Sequence, residues 1–118
     1  MTPSITLYGI PNCDTVKRAR AWLAERGVPH AFHDFKKLGV PPARLDAWIA
    51  AHGWERVLNR QGTSWRKLDE AARAAVTDAA SARAVLLLQA STIKRPVVEW
   101  ADGRITIGFM DADFARHC

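Results

Sequence analysis

Ile5-Thr6-Leu7-Tyr8-Gly9-Ile10-Pro11-Asn12-Cys13-Asp14-Thr15-Val16 changes its hydrophobic period in the middle, and that change decides the fold. Ile5 to Tyr8 is a short apolar, partly β-branched run closed by Gly9 and Pro11, which predicts a buried strand ending in a turn. From Asp14 to Arg26 the apolar residues Val16, Ala19 and Leu23 recur at helical spacing, Lys17, Arg18 and Arg20 fall largely on other faces, and Gly27 supplies a stop. Asn12 is the expected N-cap and Asp14 suits the first turn, so Cys13 falls at the mouth of the helix. After Gly27-Val28-Pro29, His30 to Phe35 alternates as a second strand does. Strand, helix and strand within about 30 residues make a βαβ unit, with parallel strands and a right-handed crossover.

Downstream, Pro41-Pro42 opens a helix with Leu45, Trp48 and Ile49 on one face and a stop at Gly53. From Trp54 to Ala90 no strand pattern appears. Helical segments fit Trp54–Leu58, Ser64–Glu70 and Thr77–Gln89, the last capped near Asp78, and the alanine-rich stretch around 71–84 favours helix intrinsically. Pro96 to Trp100 and Arg104 to Gly108 then read as an antiparallel hairpin around Asp102-Gly103, and Asp111 to Arg116 as a closing helical turn or two. The order predicts an α/β thioredoxin-like fold in which a helical insert, about 41–90, separates a β-α-β half from a β-β-α half. One domain over residues 1–118 is the expectation.

Composition narrows the class. With 48% hydrophobic and 25% charged residues, the 118-residue chain is neither a disordered tail nor a disulfide scaffold. The longest apolar run, Ala84 to Leu88, is far short of the ~20 residues of a membrane span, and the N-terminus lacks a secretory pattern. A cytoplasmic protein without membrane contact is expected, and a monomer. The net charge of +5 includes no block of five basic residues, which argues against nucleic acid as the partner.

Cys13 carries the strongest chemical signal. The thiolate is the reactive form of cysteine, and helix N-termini and nearby cations favour it; Lys17 lies one turn along, whereas Asp14 opposes it. The alternative is an inert, buried cysteine. No second thiol stands at Cys-x-x-Cys spacing, since those positions hold Ile10 and Val16. Cys118, the last residue, is a candidate resolving thiol or a tail residue. Arg60 and Arg95 lie in predicted turns, where a guanidinium could grip an oxyanion or carboxylate in bidentate fashion or be a solvated surface charge. His30, His33 and His52 form no metal-ligand spacing, so no metal is expected.

Four stretches together carry a resemblance: Tyr8-Gly9-Ile10-Pro11-Asn12-Cys13-Asp14-Thr15, Asn59-Arg60-Gln61-Gly62-Thr63-Ser64-Trp65-Arg66-Lys67-Leu68, Ile93-Lys94-Arg95-Pro96-Val97-Val98 and Ile107-Gly108-Phe109. In order and spacing the chain resembles the arsenate reductase/Spx (ArsC) family, and within it the YffB-like branch. The resemblance implies a cis-proline at Pro96, Cys13 as the catalytic nucleophile, and Asn12, Arg60, Arg95 and Pro96 as substrate- or anion-binding residues. It implies no bound cofactor, with glutathione as co-substrate, a small oxidised thiol or oxyanion as substrate, and glutaredoxin as a further partner. Arsenate reductases of the family surround their oxyanion with three arginines, and Gly108-Phe109 occupies the region of the third. A lost charge-assisted bond is worth roughly 1.5–3 kcal/mol, which argues against efficient arsenate reduction. The resemblance thus implies a glutathione-dependent thiol reductase. Its Spx members offer a non-catalytic alternative, a regulator that binds RNA polymerase, although their Cys-x-x-Cys switch is absent here.

Overall fold

The computed structural model describes residues 4–117; the terminal Cys118, singled out above, lies outside them. Strands β1 (Thr6–Gly9), β2 (Ala31–Asp34), β3 (Val97–Glu99) and β4 (Ile105–Ile107) form one sheet in the order β2-β1-β3-β4. β1 and β2 are parallel, with Leu7 opposite Phe32, while β1/β3 and β3/β4 are antiparallel, with Leu7 opposite Val98 and Val98 opposite Thr106. The chain divides into two compact units. One comprises the segments up to Leu38 and from Arg95 onward, and the other Gly39–Lys94.

In the sheet-bearing unit, side chains alternate across the pleat. Leu7 and Val98 share a face and meet Val16, Ala19, Trp22 and Leu23 of α1 (Asp14–Glu25) and Phe114 of α8 (Asp111–His117) in a core that also takes in Ile5 and Trp100. Phe114 makes edge-to-face pairs with Trp22, Trp100 and Phe109 at centroid distances of 5.6, 4.9 and 4.8 Å. Edge-to-face pairs of this kind set the ring positions as well as burying area. On the opposite face Tyr8 donates its hydroxyl to Glu99 (2.8 Å) and its ring lies 5.0 Å from that of His33.

α1 stops as the sequence predicts. Gly27 takes φ +66°, its N–H donates to Ala24, and the Val28 N–H donates to Leu23 (2.9 Å), the paired bonds of a Schellman cap. Val28 then packs against the core. β2 ends one residue earlier than the alternation suggests, because the Asp34 carboxylate accepts the Lys36 N–H (2.8 Å) and Phe35 opens a short helix, α2 (Phe35–Leu38). The β3–β4 hairpin turns through Gly103 at φ +87°, with Asp102 accepting the Arg104 N–H. That bond, with His117 and Arg104 nearby, holds the Asp102 carboxyl below its ordinary range.

The second unit is helical: α3 (Pro42–His52), α4 (Trp54–Val57), α5 (Thr63–Arg66), α6 (Glu70–Ala74) and α7 (Ala79–Leu88), followed by a 3-10 turn over Ala90–Thr92. Leu45, Trp48, Val57, Ala82, Leu86 and Ile93 are all fully buried. A single bridge pairs Leu58 with Ile93. Arg83 of α7 grips Asp46 of α3 through Nε (2.6 Å) and Nη2 (3.3 Å). Ser64–Glu70 is not one helix, since Asp69 accepts the Ala72 N–H (2.7 Å) and starts a new one. The alanine-rich stretch is broken likewise. A reciprocal capping box between Asp78 and Ser81 begins α7, and it overrides the helix preference of the residues before it.

Candidate functional site

Cys13 is the N-cap residue of α1, with extended backbone (φ −92°, ψ 124°) and no capping hydrogen bond from its side chain. This corrects the expectation for Asn12, which lies one residue earlier and is exposed. The Cys13 N–H turns back to Ile10 O (3.4 Å) while its carbonyl already accepts the Lys17 N–H (2.9 Å), so the half-helical position falls on the cysteine. A sulfur thus stands where an oxygen would ordinarily satisfy first-turn N–H groups. The side chain is half-buried and packs against the α1 core.

A close approach fixes this turn. Gly9, at the end of β1, is buried, and a Cβ there would lie 2.7 Å from Val16 Cγ2. Only glycine lets the strand end sit against the first turn of α1 without displacement.

The register brings a second segment to the same end of the sheet. Tyr8 pairs with Val97, and Val97 with Ile107, so Gly9, Pro96 and Gly108 are next in line on their three strands. The Arg95–Pro96 bond is cis, and the buried Pro96 accepts the Gly108 N–H through its carbonyl (2.8 Å). The turn that carries Cys13 and the half-buried Arg95 therefore leave the sheet at one end. Gly108 adopts φ +85°, which disfavours any side chain, and Phe109 packs on Phe114. Gly108 and Phe109 are thus given to a backbone turn and an aromatic core contact.

Arg60 belongs to the helical unit. Asn59 Oδ1 accepts the Gln61 N–H (3.2 Å), the Gly62 N–H donates to Asn59 O (3.3 Å), and the Arg66 guanidinium donates to Gln61 O (2.8 Å). This Asx-type turn leaves Arg60 exposed, its guanidinium 5.6 Å from the Trp54 ring centroid. A Cβ at Gly62 would meet Asn59 Nδ2 at 2.8 Å, so the glycine makes room for the side chain that shapes the turn.

Periodicity does not single out one further feature. A cleft of about 320 Å³ along α1 is lined by Lys17, Arg20, Ala21, Ala24 and His30. Spacing reveals Lys17, Arg20 and Ala24 as neighbours on one helix face, but His30 joins them only through the return of the chain into β2.

A parallel β-α-β half followed by an antiparallel hairpin and helix, with a cysteine at the mouth of the first helix and a cis-proline before the third strand, defines a thioredoxin-like protein. The match extends further: the ArsC family model covers residues 8–117, and the chain belongs to that family. A solved structure of a YffB protein is 49% identical, with 96% of this chain and 97% of that one covered and a TM-score of 0.90. An arsenate reductase (ArsC) related protein from Brucella melitensis is 46% identical over 99% of this chain and 94% of its own, with a TM-score of 0.74. An uncharacterized protein of Haemophilus influenzae is 38% identical over 110 residues, 93% of this chain and 95% of its own. The arsenate reductase from Vibrio cholerae, at 14% identity and a TM-score of 0.79 with both chains wholly covered, shares the fold. Among the described residues no helix is long and apolar enough to cross a membrane.

Proposed function

We propose that this chain is a glutathione-dependent thiol reductase in which Cys13 is the nucleophile. The observation that carries the proposal is the place of Cys13 as the N-cap of α1, at the sheet end where the cis Arg95–Pro96 bond also lies. The Cys13 thiolate attacks the glutathionyl sulfur of a mixed disulfide RS–SG. The new bond is Cys13–S–SG, and RS⁻ leaves and takes a proton from solvent. A glutathione thiolate then attacks that bond, releasing oxidised glutathione and restoring the Cys13 thiolate. The net reaction is RSSG + GSH → RSH + GSSG, so the electrons come from glutathione and no second cysteine of the chain is needed.

Arg95 contributes a guanidinium for a carboxylate or oxyanion of the substrate. The Asn12 N–H and the cis Arg95–Pro96 segment flank the nucleophile in this proposal, and glutaredoxin is a candidate acceptor of the glutathionyl group. Arsenate is the weaker substrate in this proposal, because Gly108 and Phe109 offer no cation.

Intact mass spectrometry after exposure to oxidised glutathione, together with turnover of a glutathione mixed disulfide, tests the proposal. Expected are one glutathionyl adduct and measurable turnover for the wild type and Cys118→Ser, and loss of both in Cys13→Ser. A wild-type protein that neither takes up glutathione at Cys13 nor turns over would overturn it. An internal Cys13–Cys118 disulfide would give Cys118 the resolving role instead.

A further inference from the structure

We propose that the cleft along the outer face of α1, lined by Lys17, Arg20 and His30, is a carboxylate-binding groove that holds the peptide part of an anionic thiol whose sulfur is presented to Cys13. The inference rests on the function proposed above and assigns it a recognition surface.

Three observations support the groove. Its lining contains three groups able to carry positive charge and no acidic side chain, the remainder being Ala21 and Ala24. Small residues at those two positions open space between the cations. Lys17 and Arg20 have no acidic partner among the described residues, so their charges are free to meet an anion. Arg20 is held instead on the Phe32 ring, its guanidinium 4.1 Å from the centroid, a contact that orients the side chain without neutralising it. His30 Nδ1 lies 3.1 Å from Val28 O, which fixes the ring at the groove's far end and leaves Nε2 available.

The dimensions fit a short peptide. At 1.5 Å of rise per residue, Lys17 lies about 6 Å and Arg20 about 10 Å along the axis from Cys13. An extended tripeptide places its C-terminal carboxylate a few ångströms to about 7 Å from its central residue. A tripeptide thiol with its sulfur at Cys13 therefore brings one carboxylate to Lys17 or Arg20. A neutral thiol gains nothing there. The groove thus selects among substrates by charge, in addition to any anion contact from Arg95.

S-methylglutathione separates this inference from the chemistry, because its capped sulfur cannot form a disulfide. Titrated into the isotope-labelled protein, it is expected to shift the amide resonances of Lys17 and Arg20, with binding weakening as salt rises. In K17E/R20E the affinity falls at least about fivefold, the scale of two exposed charge contacts. The second readout is the rate at which Cys13 is modified by oxidised glutathione and by the neutral hydroxyethyl disulfide. The charge reversal is expected to lower the first rate at least about fivefold more than the second, which corrects for any effect of Lys17 on the thiolate itself. Absent shifts, or equal affinity in wild type and K17E/R20E, overturns the groove. Shifts at these residues in a protein whose Cys13 reacts with neither disulfide support the groove and reject the proposed function.

Discussion

Gly9→Ala provides a direct test of how the Cys13 turn is held. The added Cβ would lie 2.7 Å from Val16 Cγ2 and 3.3 Å from Cγ1, against an ordinary carbon–carbon contact of about 3.5–4.0 Å. Val16 cannot swing aside, since it is fully buried and a β-branched residue in a helix has essentially one rotamer. The first turn of α1 must therefore move away from β1 by somewhat under 1 Å, and overpacking of this kind costs about 1–3 kcal/mol. Val16→Ala alone removes two buried methyl groups, a loss of about 1.5–3 kcal/mol including the cavity. Combined, the two substitutions compensate, because the methyl group added on β1 enters space vacated by the valine. Urea unfolding followed by circular dichroism, with amide exchange at Leu7 and Leu23 to report on the sheet-bearing unit, gives the double-mutant cycle. A coupling of at least about 1 kcal/mol in the stabilising direction is expected, with unchanged m-values. Additivity within about 0.5 kcal/mol, or a Gly9→Ala protein as stable as the wild type, would refute the close-packing account. Because Cys13 is one turn before Val16, Gly9→Ala also alters the alkylation rate of Cys13, and Val16→Ala in the same chain restores it.

Other contacts yield shorter predictions. Tyr8→Phe removes the 2.8 Å bond to the Glu99 carboxylate and lowers stability by about 0.5–2 kcal/mol; an unchanged urea midpoint would show the bond to be energetically silent. Trp48→Ala empties a fully buried site in the helical unit and costs about 3–5 kcal/mol, read as loss of exchange protection at Leu45 and Leu86. Asp78→Ala deletes half of the α7 capping box and lowers the melting temperature. The Ser81 backbone N–H, then its hydroxyl, hold the Asp78 carboxyl below its ordinary 3.8, so its contribution is present above that pH and is lost as pH falls through the lower native value. The stability difference between wild type and Asp78→Ala should therefore be constant near neutrality and shrink in strong acid.

Features written in nearest neighbours were legible in the sequence. The Gly27 stop, the Asp102-Gly103 hairpin and the Asp78 cap each depend on a residue whose backbone preference or side-chain reach is local, and each stands where the pattern puts it. The misreadings share a cause. Phe35 alternates correctly for a strand, but Asp34 reaches two residues forward and turns the chain into α2. Asn12 is the better cap by composition, yet the bond from Cys13 N–H to Ile10 O sets the helix start one residue later. In the insert, Asp69 and Asp78 divide what alanine content alone would join. The α1 cleft was hidden for a different reason. His30 is five residues beyond the last residue of α1, Glu25, and only the parallel pairing of β2 with β1 returns it to the helix face.

Under the proposed function, the same packing accounts for a single thiol at the helix mouth. The position three residues after Cys13 holds Val16, which is wholly buried and spends its side chain against Gly9 and the core beneath β1. That residue serves the strand-to-helix approach, so no internal partner lies in the first turn to resolve a bond formed at Cys13. Resolution must then come from a thiol brought from outside the first turn, and a chain relying on a diffusing thiol gains from a means of holding it. In the arrangement proposed above, a helix mouth with an uncapped sulfur, a cis-proline segment at the same sheet end and a cationic cleft along the same helix would together meet that need. If that proposal holds, the absence of a cysteine three residues after Cys13 and the charges of Lys17 and Arg20, unpaired among the described residues, are two consequences of a single choice of reductant. A cation introduced at Phe109 would not substitute for that groove without loss, because the ring is committed to Phe114 and the backbone at Gly108 to a left-handed turn.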